Sequence, residues 1–155
     1  MGRPREFDEQ EALDRMVDLF WRKGFDATSV QDLLDETGLS RATLYAWFGD
    51  KAGLYKAALD RYRDRFSAEL GDLDAAPSAL AWLDKFVRHV VENAFARGGP
   101  GGCFLQQAAT SACAHSDEIR AHVAHHVEQN QGTVRRALRL AQAQGELGGE
   151  AAERL

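Results

Sequence analysis

TSVQDLLDETGLSRATLYAWFGDK, Thr28–Lys51, decides how the chain is read. Val30, Leu33 and Leu34 recur at i, i+3 and i+4, the one-sided spacing of a short amphipathic helix. Thr28 or Ser29 can cap its start. Gly38 stops it, and Leu39 and Ser40 lead straight into a second short helix. Leu44 and Phe48 lie four apart on that helix and turn inward, toward Val30, Leu34 and Phe20. Two helices of about two turns, joined by a tight turn that contains glycine, form a helix-turn-helix. Asp50 then caps the helix that follows.

Outward from this stretch the chain reads as helix after helix. Upstream, Asp8 and Glu11 form a capping-box pattern. Leu13, Met16, Val17 and Phe20 make one apolar stripe, Gly24 is a natural C-cap, and Phe25 can fold back onto the helix. Downstream, Leu54, Tyr55, Ala58, Leu59, Tyr62 and Phe66 share one side of a longer helix, and GDLDAAP (residues 71–77) is a linker. A fifth helix, about residues 78–96, carries two apolar stripes, which predicts burial between neighbours. RGGPGG (residues 97–102) cannot be helical. Cys103 opens a sixth helix ending near Ala114. Ser116 caps a seventh, whose spine is Ile119, Val123, Val127, Val134, Leu138 and Ala141. GELGG (residues 145–149) breaks it, and a new helical start follows. No alternating run of β-branched residues predicts a strand, so the fold is all-α.

The 155 residues suffice for one domain with a real core, or for two small units that share a helix. No apolar run approaches the roughly 18 residues of a membrane span, and the polar start MGRPREFDEQ is unlike a signal peptide, so a cytoplasmic protein is expected. Two cysteines are too few for a disulfide framework. The net charge of −5 gives no global attraction for nucleic acid, so any such role rests on local charge placement.

TSVQDLLDETGLSRATLYAWFGDKAGLYKAAL, Thr28–Leu59, resembles the DNA-binding segment of the TetR family of transcriptional regulators. The likeness is close from Phe7 to about Leu59; beyond that only the helical pattern matches. It implies a helix-turn-helix DNA-binding domain over residues 1–52. Residues 53–155 would form an antiparallel helical bundle that binds a ligand and dimerises. The implied function is a ligand- or electrophile-responsive repressor acting as a homodimer on a near-palindromic double-stranded operator, with no cofactor. The family continues through two further helices that build a four-helix dimer interface, and this chain stops as the first of them begins. On that reading the last one or two helices are missing, dimerisation is open, and an apolar face of the seventh helix is left exposed.

The residues support this reading independently. Ser40 caps the second short helix, so Arg41, Ala42 and Thr43 occupy its first turn, where a recognition helix meets base edges. Arginine pairs bidentately with guanine, threonine meets a base or a methyl group, and alanine permits close approach. Tyr45 and Trp47 carry donors suited to phosphate oxygens, which fix docking geometry without reading sequence. Lys51 adds a phosphate contact at a helix N-terminus, and Thr28 or Ser29 another. Trp47 stands where the family more often has histidine or tyrosine. Arg3 and Arg5 form an arm that could reach a minor groove. Asp26, Asp32, Asp35 and Glu36 lie on the first two helices and their joints, whereas Arg41 and Lys51 flank the presumed DNA face, which predicts weak non-specific binding and a specific complex that depends steeply on salt.

For the sensing half, the family pattern points to Trp82, Phe86, His89, Phe95, Cys103, Phe104 and Gln107 as pocket lining, aromatic walls with a few polar groups. Cys103, in the first turn of a helix and flanked by glycines, is a candidate thiol sensor; GGCFLQQ resembles a Gly-Cys element of a TetR subgroup, some of whose members sense electrophiles or oxidants. Cys113 is read as inert. His122 and His126 share a helical face, but with no acidic or thiolate partner at close spacing they read, like His115 and His125, as surface residues, and no metal is expected. An enzyme using Cys103 as nucleophile lacks a visible orienting group and oxyanion loop. A helical interaction module without DNA binding is the other alternative.

Overall fold

The computed structural model describes residues 9–95, 101–111 and 116–147. The capping residue Asp8, the arm with Arg3 and Arg5, Cys113, His115 and the helical start after Gly149 lie outside these. Among the described residues seven helices follow in order: α1 (Glu9–Ala27), α2 (Val30–Thr37), α3 (Arg41–Phe48), α4 (Lys51–Leu70), α5 (Ala79–Phe95), α6 (Phe104–Ser111) and α7 (Asp117–Ala143). Among the described residues there is no strand.

Local chemistry sets the ends of the short helices. Ser29 caps α2 in a reciprocal box with Asp32: the Asp32 N–H donates to Ser29 Oγ (3.0 Å) and the Ser29 N–H to Asp32 Oδ2 (2.8 Å). Gly38, at φ 72° and ψ 8°, ends α2 in the left-handed conformation that costs glycine little, and its N–H reaches the Leu34 carbonyl at 2.8 Å. Ser40 caps α3 through the Thr43 N–H, and Asp50 caps α4 through the Gly53 N–H. The span of α1 is broken at Gly24 (φ 77°, ψ 171°), where the expected C-cap lies. Beyond the break Phe25 turns back to stack on Phe20, ring centroids 6.4 Å apart.

α3 and α4 meet at a corner with no room for a side chain. A Cβ on Gly53 would lie 2.0 Å from the Phe48 carbonyl oxygen and 3.2 Å from its carbon, so this glycine is required by space. The corner delivers Leu44, fully buried, into a core of Met16, Val17, Phe20, Leu33, Leu54 and Tyr55, to which α6 adds Phe104 and α7 adds Ile119 and Val123. The core therefore runs from α1 through α4 into α6 and α7. Across its edge Arg61 on α4 grips Asp14 on α1 in a bidentate pair, both contacts 2.8 Å, and holds that carboxyl below the usual aspartate range.

A second core joins Leu70 and Leu73 to Ala79, Trp82 and Leu83 of α5 and to Ala137 and Ala141 of α7. The expected linker is packed: Leu73 is buried and the Trp82 indole N–H donates to the Gly71 carbonyl at 3.0 Å. The first N–H groups of α5 are satisfied from beyond the end of α7, Ala79 N–H by Gln144 Oε1 (3.0 Å) and Leu80 N–H by Glu146 Oε2 (2.9 Å).

Three expectations need correction. α5 is not buried on two faces: only Ala79, Trp82 and Leu83 are buried, while Leu80, Val87, Val91 and Phe95 are exposed. The exposed apolar stripe thus belongs to α5, whereas Val134 and Leu138 of α7 pack on the second core and Val127 on the first. Cys103 precedes α6 instead of lying in its first turn; its carbonyl accepts the Gln107 N–H at 2.9 Å.

Gly53→Ala is expected to destabilise the fold by about 1–3 kcal/mol, because a methyl must displace the Phe48 backbone. Gly132→Ala, in α7 with nothing within 4 Å of a Cβ, is expected to stabilise by about 0.5–1 kcal/mol. Urea denaturation of both variants checks the pair.

Candidate nucleic-acid interface

The corner that buries Leu44 and half-buries Phe48 turns the opposite side of α3 to solvent. Arg41 and Ala42 are exposed in its first turn and Thr43 is half-buried. Thr43 Oγ1 lies 2.8 Å from Ser40 Oγ, so the cap also orients the threonine hydroxyl. Among the described residues Arg41 makes no ion pair or hydrogen bond. Its guanidinium is free to take a bidentate acceptor.

The two outward aromatics differ. Tyr45 is half-buried and packs against the first core. Trp47 is 38% exposed, with its ring edge-on to Phe48 at 6.0 Å. Neither the Tyr45 hydroxyl nor the Trp47 indole N–H finds a partner among the described residues, so both donors remain available. Lys51, half-buried at the start of α4, holds its ammonium 4.5 Å from the centroid of the Phe25 ring. This cation–π contact limits the swing of the charge beside the α4 N-terminus.

Thr28 is placed differently from its reading as a surface contact. It is fully buried, and its hydroxyl donates to the Gly24 carbonyl at 2.6 Å. That bond ties the hydroxyl to the break within α1 and removes it from the surface. Ser29 is the exposed member of the pair and is already engaged in the α2 cap. Gly53, which fixes α3 against α4, was not singled out from the sequence. The signal was there: a glycine in the first turn of a capped helix, where helix propensity argues against it.

Two of the acidic residues around this face are paired with bases of α1. Asp32 sits 2.9 Å from Lys23 Nζ, and that pairing, with the Ser29 cap, lowers its carboxyl to about 2. Glu36 meets Arg22 at 3.3 Å and Asp35 accepts from Gln31 at 2.8 Å. The acids on α2 thus face the first helix or their own helix, and Arg41 is left unpaired.

The residues expected to line a pocket are dispersed. Trp82 and Phe86 border a cavity of about 530 Å³ with Phe66, Leu70, Thr133 and Arg136. Phe86 and Cys103 border a smaller one of about 100 Å³ with Tyr62, Arg63, Leu105 and His126. Phe104 is instead in the core, Gln107 is exposed and Phe95 is 81% exposed. His89 turns to Glu69, Nδ1 to Oε2 3.2 Å. Cys103 is half-buried, and its Sγ receives the Tyr62 hydroxyl at 3.5 Å, while burial pushes the Tyr62 phenol well above its ordinary value. His122 and His126 are not simple surface residues: His126 is buried and both meet Asp60 of α4. That acid lies 62 residues from His122, which is why the spacing along α7 did not reveal it.

A capped two-helix unit with an exposed first turn and flanking N–H and O–H donors defines a helix-turn-helix DNA-binding protein. Residues 12–58 match the model of the bacterial regulatory proteins of the tetR family, and residues 79–153 match the tetracyclin repressor-like C-terminal domain. The chain is 38% identical over 152 residues to the HTH-type transcriptional repressor ComR of Escherichia coli (strain K12), covering 94% of this chain and 70% of that protein. It is 35% identical over 106 residues to the HTH-type transcriptional repressor BdcR of the same organism, covering 67% of this chain and 53% of that one. Among solved structures, a cysteine mutant of the TetR family transcriptional regulator CifR, complexed with 26-base-pair double-strand operator DNA, superposes with a TM-score of 0.76 at 29% identity, covering 96% of this chain and 78% of that one. The chain belongs to the TetR family of bacterial regulatory proteins. No helix among the described residues is long and apolar enough to cross a membrane.

Proposed function

We propose that this chain is a cytoplasmic transcriptional repressor that binds a near-palindromic operator as a homodimer and releases it in response to a small molecule or electrophile. Residues 1–52 carry DNA recognition and residues 53–155 carry regulation and dimerisation. The observation that bears most of the weight is Arg41, exposed and unpartnered in the first turn of α3 while the acids of α2 are held in local pairs. Arg41 reads a guanine, with Ala42 and Thr43 beside it, and Ser29, Ser40, Tyr45, Trp47 and Lys51 set the helix against phosphates. Two such helices in a dimer would lie roughly 34–36 Å apart, one turn of the duplex. Two relatives named as repressors and a neighbour solved on operator DNA support the reading.

Arg41→Ala is expected to relax base preference at one position of each half-site, at about 1–3 kcal/mol. Lys51→Ala should weaken binding to all sequences alike and reduce the salt slope by about 1. Fluorescence anisotropy on the gene's own upstream region, at several salt concentrations, separates the two. If both variants bind as the parent does, the assignment is wrong; if the parent binds no DNA, the interaction-module alternative takes its place.

Regulation is read at the cavities between α4, α5 and α7. The larger one suits a small ligand, and Cys103, at the edge of the smaller, suits an electrophile. A thiol-alkylating reagent is expected to lower operator affinity of the parent and to leave Cys103→Ser unchanged. Equal loss in both, or loss in neither, measured by gel mobility shift, would rule the thiol out.

A further inference from the structure

Where α4 crosses α7, three ligating atoms converge. His122 Nε2 lies 2.9 Å and His126 Nε2 2.7 Å from the same Asp60 oxygen, and the two nitrogens are 3.1 Å apart. The two ring planes are nearly perpendicular, at 85°. A first-row metal ion sits about 2.0–2.1 Å from imidazole nitrogen and carboxylate oxygen. A triangle with these edges leaves a position at that distance from all three atoms, just off their plane. We propose that Asp60, His122 and His126 form a binding site for a divalent first-row transition ion that pins α4 to α7.

The protein-only arrangement leaves this cluster poorly satisfied. One carboxylate oxygen must accept from two ring nitrogens crowded against each other. His126 Nδ1 is buried with no partner, so every polar interaction of that ring runs through Nε2. Burial holds the His126 imidazole below its ordinary value, with the Asp60 carboxylate acting in the opposite direction. Arg63 is the nearby positive charge that works against an ion, and its guanidinium is drawn aside to Gln129 Oε1. The two imidazoles are borderline donors and outnumber the one hard carboxylate, which favours zinc-like ions over magnesium or calcium. Three protein ligands leave a coordination position open, and His126 borders the cavity of about 100 Å³.

The site lies on the seam that also carries the Lys56–Glu118 ion pair. α4 begins at Lys51, beside α3, so an ion that fixes α4 against α7 also constrains the placement of the recognition helix. This last consequence rests on the repressor reading; the site itself does not.

Titration calorimetry of the full chain with Zn²⁺ alone, without DNA, tests the site. One ion per chain is expected, with no uptake of Mg²⁺. Affinity should fall about tenfold or more in His122→Ala, whose side chain is half-exposed, and in the near-isosteric Asp60→Asn. Co²⁺ should give visible d–d absorption in the parent, lost in either variant, and Zn²⁺ should raise the melting temperature of the parent alone. No saturable uptake, or uptake that both variants retain, would overturn the site. Operator titration with and without Zn²⁺ then tests the consequence: a shift confined to the parent supports it, and a bound ion that leaves affinity unchanged refutes the coupling alone.

Discussion

The functional surface depends on one close approach, the Phe48 carbonyl against the first turn of α4 at Gly53. Without a Cβ at that position the two helices join through a single sharp corner. The corner sends Leu44 into the core and brings the start of α4 beside the recognition helix. From there α4 runs on to meet α1 through the Asp14–Arg61 pair and α7 through Asp60. One continuous helix therefore touches the DNA-facing unit, the first core and the seam with α7. A rigid element shared between two regions is one physical route by which either can sense the other.

The second constraint is electrostatic. A chain of net charge −5 must present a face that polyanionic DNA tolerates. The arrangement achieves this locally: Lys23 and Arg22 neutralise Asp32 and Glu36 on the α1 side of α2, and Arg41 is left without a protein partner. Aromatic packing supplies the remaining control. Phe25 lies under the Lys51 ammonium, and Phe48 supports Trp47, so both outward side chains rest on half-buried aromatic rings.

Much of this was legible in the sequence, because it is set by local chemistry. Gly38, Ser40 and Asp50 terminate or cap helices within a few residues of themselves, and their roles follow from spacing. Leu44 and Phe48 likewise declare their side by being four apart. What was not legible depends on distant partners. Thr28 reads as a free cap until the break at Gly24 claims its hydroxyl. Asp60 looks unremarkable until α7 returns to it. The two stripes of α5 promised burial on both faces, yet periodicity gives only the amphipathic faces of a helix, not which neighbours cover them.

The most direct test of the account is a nuclear magnetic resonance titration of the isotope-labelled chain with its upstream DNA. The largest, saturable amide shifts are expected on Ser29, Ser40 to Tyr45, Trp47 and Lys51, with those of the outer face of α5 unmoved. Largest shifts on α5 or α7, or shifts spread evenly over the basic residues of the chain, would contradict it.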